Sequence, residues 1–236
     1  MKIEQKRVAV RRLGRTDYRS CWDFQQELFL QRIQRLVPDH LLLTEHHHVY
    51  TIGKSGSEDH LLAGAAEMDE IGIDMVQCDR GGDITYHGPG QLVGYPILDL
   101  GGYYYDLHRY LRDLEEVVIR TLASYGVRAK RHGDYTGVWV GDEKICALGV
   151  KTSRWITMHG FAFNVNTDLS YFDRIIPCGI MEKGVTSLRA VLGSEIGMRQ
   201  VMELVTGHFA DVFGVVVDDH PDSDVPLFTR SDLVPA

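Results

Sequence analysis

The chain has 236 residues, of which 44% are hydrophobic and 25% charged, and its formal net charge is −8. This length fits one large domain or two small ones, and it can bury a core without disulfides or a structural metal. The acidic balance argues against a general nucleic-acid binder, and no apolar run reaches the ~18 residues of a membrane span.

The N-terminal stretch is basic and lacks the apolar segment of a secretory signal, so we expect a cytoplasmic protein. Seven basic and two acidic residues give positions 1–20 a net charge of +5. A second, smaller basic cluster lies at 128–131. Such patches are usually solvated faces, and less often they are docking sites for an acidic partner.

Local patterns in the first part of the chain predict alternating strands and helices. They predict strands over 7–13, 40–44 and 75–78, and helices over 17–36 and 58–71. The first helix is capped by Thr16 or Asp17 and stopped by Pro38. One face of that helix carries apolar side chains, namely Tyr18, Trp22, Phe29, Ile33 and Leu36.

The later part of the chain is richer in hairpins. Strands are predicted over 91–100, 136–140, 144–151, 155–166 and 215–219, and helices over 106–125 and 198–213. Pro96 indicates an edge or bulged strand. No sustained βαβ rhythm occurs, so we predict an α+β fold, with a mixed β-sheet flanked by helices, in a single domain.

A glycine-rich run, RGGDITYHGPGQLVGYP, occupies residues 80–96. It matches neither the phosphate loop GxxxxGK[ST] nor a GxGxxG that opens a helix, so phosphate is a poor ligand for it. Two interpretations stay open: a tight turn packed on other backbone, or the floor of a pocket for an uncharged substrate. Four polar residues, Arg80, Thr85, Tyr86 and His87, favour the pocket.

Cys178 lies between a proline and a glycine in PCGI, residues 177–180. A turn there exposes the sulfur and brings backbone N–H groups together, as an oxyanion hole requires. A half-buried loop thiol is the alternative. Cys21 and Cys146 have the pattern of packing residues, and Cys78 receives no role.

A thiol nucleophile needs a nearby base, and the candidates are His87, His159, Lys144 and the triplet 46–48. In an extended segment the first and third histidines of the triplet point away from the second, which disfavours a metal site. Lys144 follows a hairpin turn. It is either a solvated lysine or a desolvated one whose lowered pKa makes it a base.

Taken together, these segments resemble the lipoyl(octanoyl) transferase family (octanoyltransferase, lipoate-protein ligase B). The similar stretches are RGGDITYHGPGQLVGYPILDL (80–100), KICALGV (144–150), HGFAFNVN (159–166), PCGI (177–180) and EHHHVYTIGKSG (45–56). They keep the family's order and cover roughly residues 40–190. The block before VYT departs from the family, because proline is common where this chain has His47 or His48.

The resemblance implies a single octanoyltransferase catalytic domain over residues 1–236, with a fold similar to the catalytic domains of biotin protein ligases and lipoate ligases. It implies a thioester intermediate on Cys178, an active-site lysine at Lys144, no cofactor and no metal. The implied substrate-binding residues are Arg80, Gly81, Gly82, Asp83, Ile84, Thr85, Tyr86, His87, Ala147, Leu148, Gly149, Gly160, Phe161 and Ala162.

The resemblance also implies the partners. The donor would be octanoyl-acyl carrier protein, and the acceptors would be lipoyl domains of 2-oxoacid dehydrogenases and the glycine cleavage H protein, without nucleic acid or membrane. Because the donor is acidic, either basic cluster is a candidate docking site. The alternatives are an ATP-dependent lipoate or biotin ligase of the same fold, a cysteine hydrolase, and a non-catalytic carrier-protein binding module.

Overall fold

Two β-sheets and five α-helices form the part of the chain that the computed structural model describes, residues 5–176 and 184–220. In spatial order the larger sheet contains β11 (Val216–His220), β1 (Arg7–Thr16), β2 (Asp39–His46), β6 (Gln91–Ile97), β10 (Ile156–Asn164), β9 (Glu143–Ser153), β8 (Val138–Val140) and β7 (Lys130–Arg131). The smaller sheet contains β4 (Asp74–Gln77), β3 (Val49–Ile52) and β5 (Ile84–His87). Both sheets combine parallel and antiparallel pairs, which confirms the predicted α+β class with a mixed sheet.

Five helices accompany the sheets in the described residues. They are α1 (Tyr18–Ile33), α2 (Ala65–Ile71), α3 (Leu107–Ser124), α4 (Leu188–Leu192) and α5 (Met198–Phe213). The predicted N-cap of α1 is confirmed, because the Asp17 carboxylate accepts a hydrogen bond from Ser20 N at 2.9 Å. Asp106 caps α3 in the same way through Arg109 N. In the described part of the chain, no helix combines the length and apolar character needed to cross a membrane.

Both faces of the larger sheet are buried. Side chains alternate along its strands, so successive residues contribute to different cores. Leu41 and Leu43 of β2 belong to a core shared with α3 and α5. Leu42, between them, belongs to a second core shared with α1. Tyr110 and Leu114 of α3 are fully buried in the first core. The sheet is therefore sandwiched between two layers.

Two helix predictions were wrong in extent. The first helix ends at Ile33, because Arg35 adopts a positive φ of 61°, and Leu36 is left 70% exposed. The predicted helix over 58–71 is broken into a short 3-10 turn at Glu58–His60 and α2. Between them Leu61 forms a β-bridge with Ile175, so a tertiary backbone pairing overrides the helical pattern.

Of the two alternatives that Pro96 indicated, an edge strand or a bulged one, the edge strand is wrong, because β6 lies between β2 and β10. The ladder between β6 and β10 stops at Gly94, which pairs with Phe161, and resumes where Thr157 N donates to Leu98 O. Pro96, which has no N–H, occupies this gap. Thr157 Oγ1 donates to the Pro96 carbonyl oxygen at 2.8 Å. A central strand can thus contain a proline at a point where its hydrogen-bonded ladder to the neighbouring strand is interrupted.

We predict that Gly94→Ala destabilises the protein by about 1–3 kcal/mol, because the new Cβ would lie 2.2 Å from the buried Phe161 ring. Urea denaturation measures the free energy of unfolding. The matched control is Gly207→Ala in α5, where nothing lies within 4 Å of the new Cβ. That variant should gain about 0.5–1 kcal/mol from helix propensity. Equal stabilities for the two variants would contradict the close packing of β6 against Phe161.

Candidate active site

One open pocket is lined by residues of α1, both sheets and the glycine-rich run, and its empty volume including the mouth is about 820 Å³. Many residues that the sequence singled out lie far apart along the chain but line this same pocket. They are Arg80, Gly82, Asp83, Ile84, Thr85, His87, Lys144, Ala147, Leu148, Gly149, Gly160, Phe161 and Ala162. The fold therefore brings three separate blocks of the sequence together around one pocket.

Two residues of the predicted set are placed differently, and a third is not described. Gly81 is not among the lining residues, and its N–H donates to Val150 O of β9 at 2.9 Å. Tyr86 is fully buried away from the pocket, where its ring stacks on Tyr171 at 4.8 Å. Cys178 lies outside the described residues.

The glycines of the site let backbone segments approach each other. A Cβ on Gly53 would lie 2.2 Å from Gly82 O, and one on Gly149 would lie 2.7 Å from Gly81 O. Neither position can hold a larger residue without moving the main chain. The two interpretations of the glycine run are therefore compatible, because the run packs on other backbone and also forms the pocket wall.

The Arg80 side chain fixes the run in place. It is 93% buried, and Nη2 donates to both the carbonyl oxygen and the hydroxyl of Thr51 in β3, at 2.7 and 2.9 Å. Nη1 donates to Gly81 O at 3.1 Å. A buried guanidinium that donates to backbone oxygens is a rigid anchor. It connects the smaller sheet to the loop that Gly81 ties to β9.

Lys144 lies at a β-bulge beside the pocket. Register between β8 and β9 shifts, so that Val138 pairs with Cys146 but Trp139 pairs with Lys144. Lys144 and the consecutive residues Ala147, Leu148 and Gly149 of the same strand all line the pocket. The amine lies 5.0 Å from the centre of the Trp139 ring.

Both ends of the segment that leads to and from Cys178 are fixed beside the pocket. Ile176 N donates to His60 O at 2.8 Å, and His60 Nδ1 lies 2.6 Å from the carboxylate of the lining residue Asp83. On the other side Lys144 N donates to Gly184 O at 2.9 Å. The two described residues that flank this block are therefore bonded to segments that reach the pocket, one beside Asp83 and one at Lys144.

The opposite end is closed by packed rings from α1, β2, β5 and β6. The Tyr18 ring stacks on His87 at 5.7 Å and contacts His46 at 5.2 Å. Because His46 Nδ1 faces the carbonyl oxygen of Thr16, its Nε2 accepts from the Tyr95 hydroxyl at 2.7 Å. Burial lowers the pKa of His46 to about 4 and that of His87 well below its usual value. This end is polar, but its two histidines are uncharged at neutral pH.

His159 is the most strained residue of the site. It is buried in β10 with a φ of 59°, a left-handed conformation that is rare outside glycine. Its Nε2 donates to Asp79 at 2.8 Å, and Lys151 also pairs with that carboxylate. The hydrogen bond from His159 and the Lys151 contact hold the pKa of Asp79 far below its usual range. Burial nonetheless lowers the pKa of His159, so its ring is neutral.

Sequence reasoning missed several lining residues and one hydrogen-bonded chain. His87 Nδ1 donates to Gln91 Oε1 at 2.7 Å, Gln91 Nε2 donates to Asn164 Oδ1, and Asn164 donates to Thr186 O. Gln91 and Asn164 lie inside the quoted sequence blocks, so that signal was available. The other missed lining residues are Tyr18, Val93, Tyr95, Thr136, Phe172 and Val185.

The histidine triplet is divided between environments. His46 is buried among the rings, His47 is exposed, and His48 stacks on Tyr171 while its Nδ1 hydrogen-bonds the Tyr86 hydroxyl. Among the residues the structure describes, no group of three His, Cys, Asp or Glu side chains is arranged to hold a metal ion.

The three thiols within the described ranges are all free and buried, as expected of packing residues. Burial raises the pKa of Cys21 to about 12, and it also raises the pKa of Cys146 well above its usual value. Cys78 Sγ donates to Ile52 O at 3.4 Å. None of these side chains lines the pocket.

The predicted basic clusters are partly neutralised. Arg7 and Arg12 of β1 form ion pairs with Asp218 and Asp219 of the neighbouring strand β11. In the second cluster, Arg131 pairs with Glu115 and Glu116 of α3. The free positive charge of both faces is therefore smaller than the sequence count indicates.

Comparisons with known proteins agree on the fold. The structure of a lipoate-protein ligase A bound with ATP has a TM-score of 0.71 at 16% identity, covering 92% of this chain and 90% of that one. Biotin protein ligase from Aquifex aeolicus has a TM-score of 0.50 at 14% identity, covering 89% and 69%. The fold is thus that of lipoate and biotin ligase catalytic domains, as predicted.

Sequence comparisons narrow the class. The lipoyl protein ligase A/B catalytic domain matches residues 17–210. An octanoyltransferase from Rubrobacter xylanophilus is 54% identical over 219 residues, which cover 91% of this chain and 98% of that protein. The chain therefore belongs to the octanoyltransferase family, within the lipoyl protein ligase A/B catalytic domains. The predicted family is confirmed.

We predict that the free energy of unfolding falls as pH drops from about 6.5 to about 4, partly because of His46. The folded pKa of about 4 lies below the unfolded value of ~6.5, so the unfolded chain binds the proton that the folded protein excludes. The stabilisation is present above pH 6.5 and is lost on acidification, at up to about 1.4 kcal/mol per pH unit for each such histidine.

His46→Gln should reduce this slope by one proton, as measured by urea denaturation at several pH values. The exposed neighbour provides the control, and His47→Gln should leave the slope unchanged. If both variants keep the slope of the parent protein, His46 is not the buried neutral group that the structure indicates.

Proposed function

We propose that this protein transfers an octanoyl group from octanoyl-acyl carrier protein to a specific lysine of a lipoyl domain, through a thioester on Cys178. The acceptor domains would be those of 2-oxoacid dehydrogenases and the glycine cleavage H protein. Lys144 would be the active-site base, and the whole chain would act as one catalytic domain.

One observation carries this proposal: Lys144 lines a largely apolar pocket, and the described residues that flank the Cys178 block, Ile176 and Gly184, are bonded to His60 and to Lys144 itself. Cys178 follows Ile176 by two positions, so their Cα atoms are at most about 7 Å apart. The His60 ring in turn lies beside the lining residue Asp83. A base in the pocket and a nucleophile within that reach would fit acyl transfer.

The first step exchanges one thioester for another. The Cys178 thiolate attacks the donor carbonyl carbon, and Lys144 holds the proton that the thiol released. Collapse of the tetrahedral intermediate breaks the bond to the donor sulfur, and Lys144 returns the proton to that leaving thiolate. Backbone N–H groups at Cys178 and along the glycine-rich run would stabilise the oxyanion.

The second step forms the product amide. The acceptor lysine attacks the acyl-enzyme, Lys144 removes a proton from the attacking nitrogen, and the Cys178 thiolate leaves and is reprotonated. Amide formation from a thioester is downhill, so no ATP is needed. This agrees with the glycine-rich run, which carries neither a phosphate-loop lysine nor a helix N-terminus.

The pocket walls suit an uncharged chain. Ile84, Val93, Leu148 and Phe161 supply apolar surface, and burial of each methylene contributes ~0.8 kcal/mol. Arg80 and Asp83 carry charge, but their side chains are held by Thr51 and His60 respectively. Gly81 and Tyr86 would act through the loop and not by touching the chain.

Rival functions make different predictions. An ATP-dependent ligase of the same fold would require nucleotide, and this class is pertinent because a structural neighbour was solved with ATP. A cysteine hydrolase would release free octanoate faster than it acylates a lipoyl domain. A carrier-protein binding module would bind the donor without forming any covalent adduct.

We predict that incubation with octanoyl-acyl carrier protein, without nucleotide, adds one octanoyl group to the enzyme, as read by intact mass spectrometry. Peptide mapping should locate the group on Cys178 and leave Cys21, Cys78 and Cys146 unmodified, because those thiols are buried away from the pocket. Cys178→Ala should form no adduct. Adduct at another cysteine, or a strict need for ATP, would refute the proposal.

Lys144→Ala should slow acylation of Cys178 by roughly 10²–10⁴-fold, the usual contribution of a general base. The measurement is the single-turnover rate of adduct formation, with circular dichroism to verify folding. Lys130→Ala is the matched control, because Lys130 is an exposed lysine on β7, the edge strand of the same sheet, and does not line the pocket. A normal rate in Lys144→Ala would remove this residue from the mechanism.

A further inference from the structure

Tyr18 occupies a boundary position at the closed end of the pocket. It is 3% exposed and is the first residue of α1, directly after the capping residue Asp17. Its ring lines the pocket on one side. On the other side it belongs to a small apolar cluster with Val49, Val76 and Cys78, none of which lines the pocket. This single side chain therefore separates the pocket from an apolar region behind it.

Strands β9 and β10 run from Lys144 to this boundary. Lys144 and Gly149 are five residues apart on β9, a separation of roughly 15 Å at the rise of a strand. Gly149 pairs with Gly160 on β10, and the neighbouring His159 contacts Tyr95 at the closed end. A chain that starts beside Lys144 and runs along β9 and β10 ends at the rings.

The boundary is held rigidly on the side of the pocket. His87, on which Tyr18 stacks, donates to Gln91, and His46, which Tyr18 contacts, is bonded to Tyr95. Displacing Tyr18 would disturb these buried partners, and their hydrogen bonds have no replacement from water there. Close-packed interiors resist insertion of extra methylenes for the same reason.

We propose that Tyr18 sets the upper limit of acyl chain length in this enzyme. This inference rests on the proposed function and adds to it the residue that selects among saturated acyl donors. An eight-carbon chain fills the pocket up to the Tyr18 ring. A longer chain has to displace that ring, and a smaller side chain at position 18 opens the pocket toward Val49, Val76 and Cys78.

The experiment compares kcat/KM for octanoyl-, decanoyl- and dodecanoyl-acyl carrier protein in the full-length enzyme, with a lipoyl domain as acceptor. Tyr18→Ala should raise the dodecanoyl-to-octanoyl ratio by at least tenfold, because each newly buried methylene contributes about fourfold, or ~0.8 kcal/mol. Tyr18→Leu should raise the ratio in the same direction, and it preserves more of the packing of α1 if the alanine variant fails to fold.

Two control variants distinguish the effect of the Tyr18 ring from the effects of its hydroxyl and of reduced stability. Tyr18→Phe keeps the ring and removes the hydroxyl, so its ratio should match that of the parent enzyme. Phe29→Ala removes a buried ring from the same helix but not from the pocket wall, so it controls for loss of stability. An unchanged ratio in both Tyr18→Ala and Tyr18→Leu, or the same rise in Phe29→Ala, would overturn the inference.

The same experiment distinguishes failure of the proposed function from failure of the assignment of Tyr18. If the parent enzyme transferred no acyl group from any of the three donors, the transferase mechanism itself would be refuted. If it transferred octanoyl normally but position 18 had no influence on the ratio, only the assignment of Tyr18 would be lost.

Discussion

The buried Arg80 guanidinium is the interaction on which the site depends most. It donates to two oxygens of Thr51 in the smaller sheet and to Gly81 in its own loop, and Gly81 in turn bonds Val150 of the larger sheet. The pocket lies where these two sheets meet, so its width is set by this contact. Backbone must approach backbone closely for the contact to form, which requires glycine at 53 and 149.

The electrostatics of the pocket follow from burial. The histidines at its closed end are neutral because desolvation lowers their pKa values, and the carboxylate of Asp79 is paired with His159 and Lys151. Polar rings can then close this end of the pocket without adding charge to it. The other end of the pocket carries ionisable side chains, since Lys144 lines it and His60 lies beside the lining residue Asp83.

Local distortions of the larger sheet build the site. Lys144 lies at the bulge in β9, and the ladder gap at Pro96 faces the strained His159 on β10. Bulges and strained residues cost stability and persist where the surrounding structure holds them. Here the two distortions lie at opposite ends of one pocket, and the regular pairs between them, such as Gly160 with Gly149, form its wall.

The sequence by itself determined the elements with strong local signals. The cap of α1 at Asp17, the periodic face of α3 and the extent of α5 follow from residues close together in the chain. It also determined the family, because the glycine-rich block is long and specific. Chemistry alone distinguishes the glycine run from phosphate loops, since the lysine and the helix start of such a loop are missing from it.

Only the tertiary structure decided that Lys144 lines the pocket, that Pro96 lies in a central strand, that the helix predicted over 58–71 is broken and that Tyr18 packs on His87. Each depends on pairing between distant segments, such as Trp139 with Lys144, Leu61 with Ile175, or Tyr18 with His87. Local spacing fixes which residues share a face of one element. Which elements then share a pocket is fixed by strand register and close packing, and these involve residues far apart in the chain.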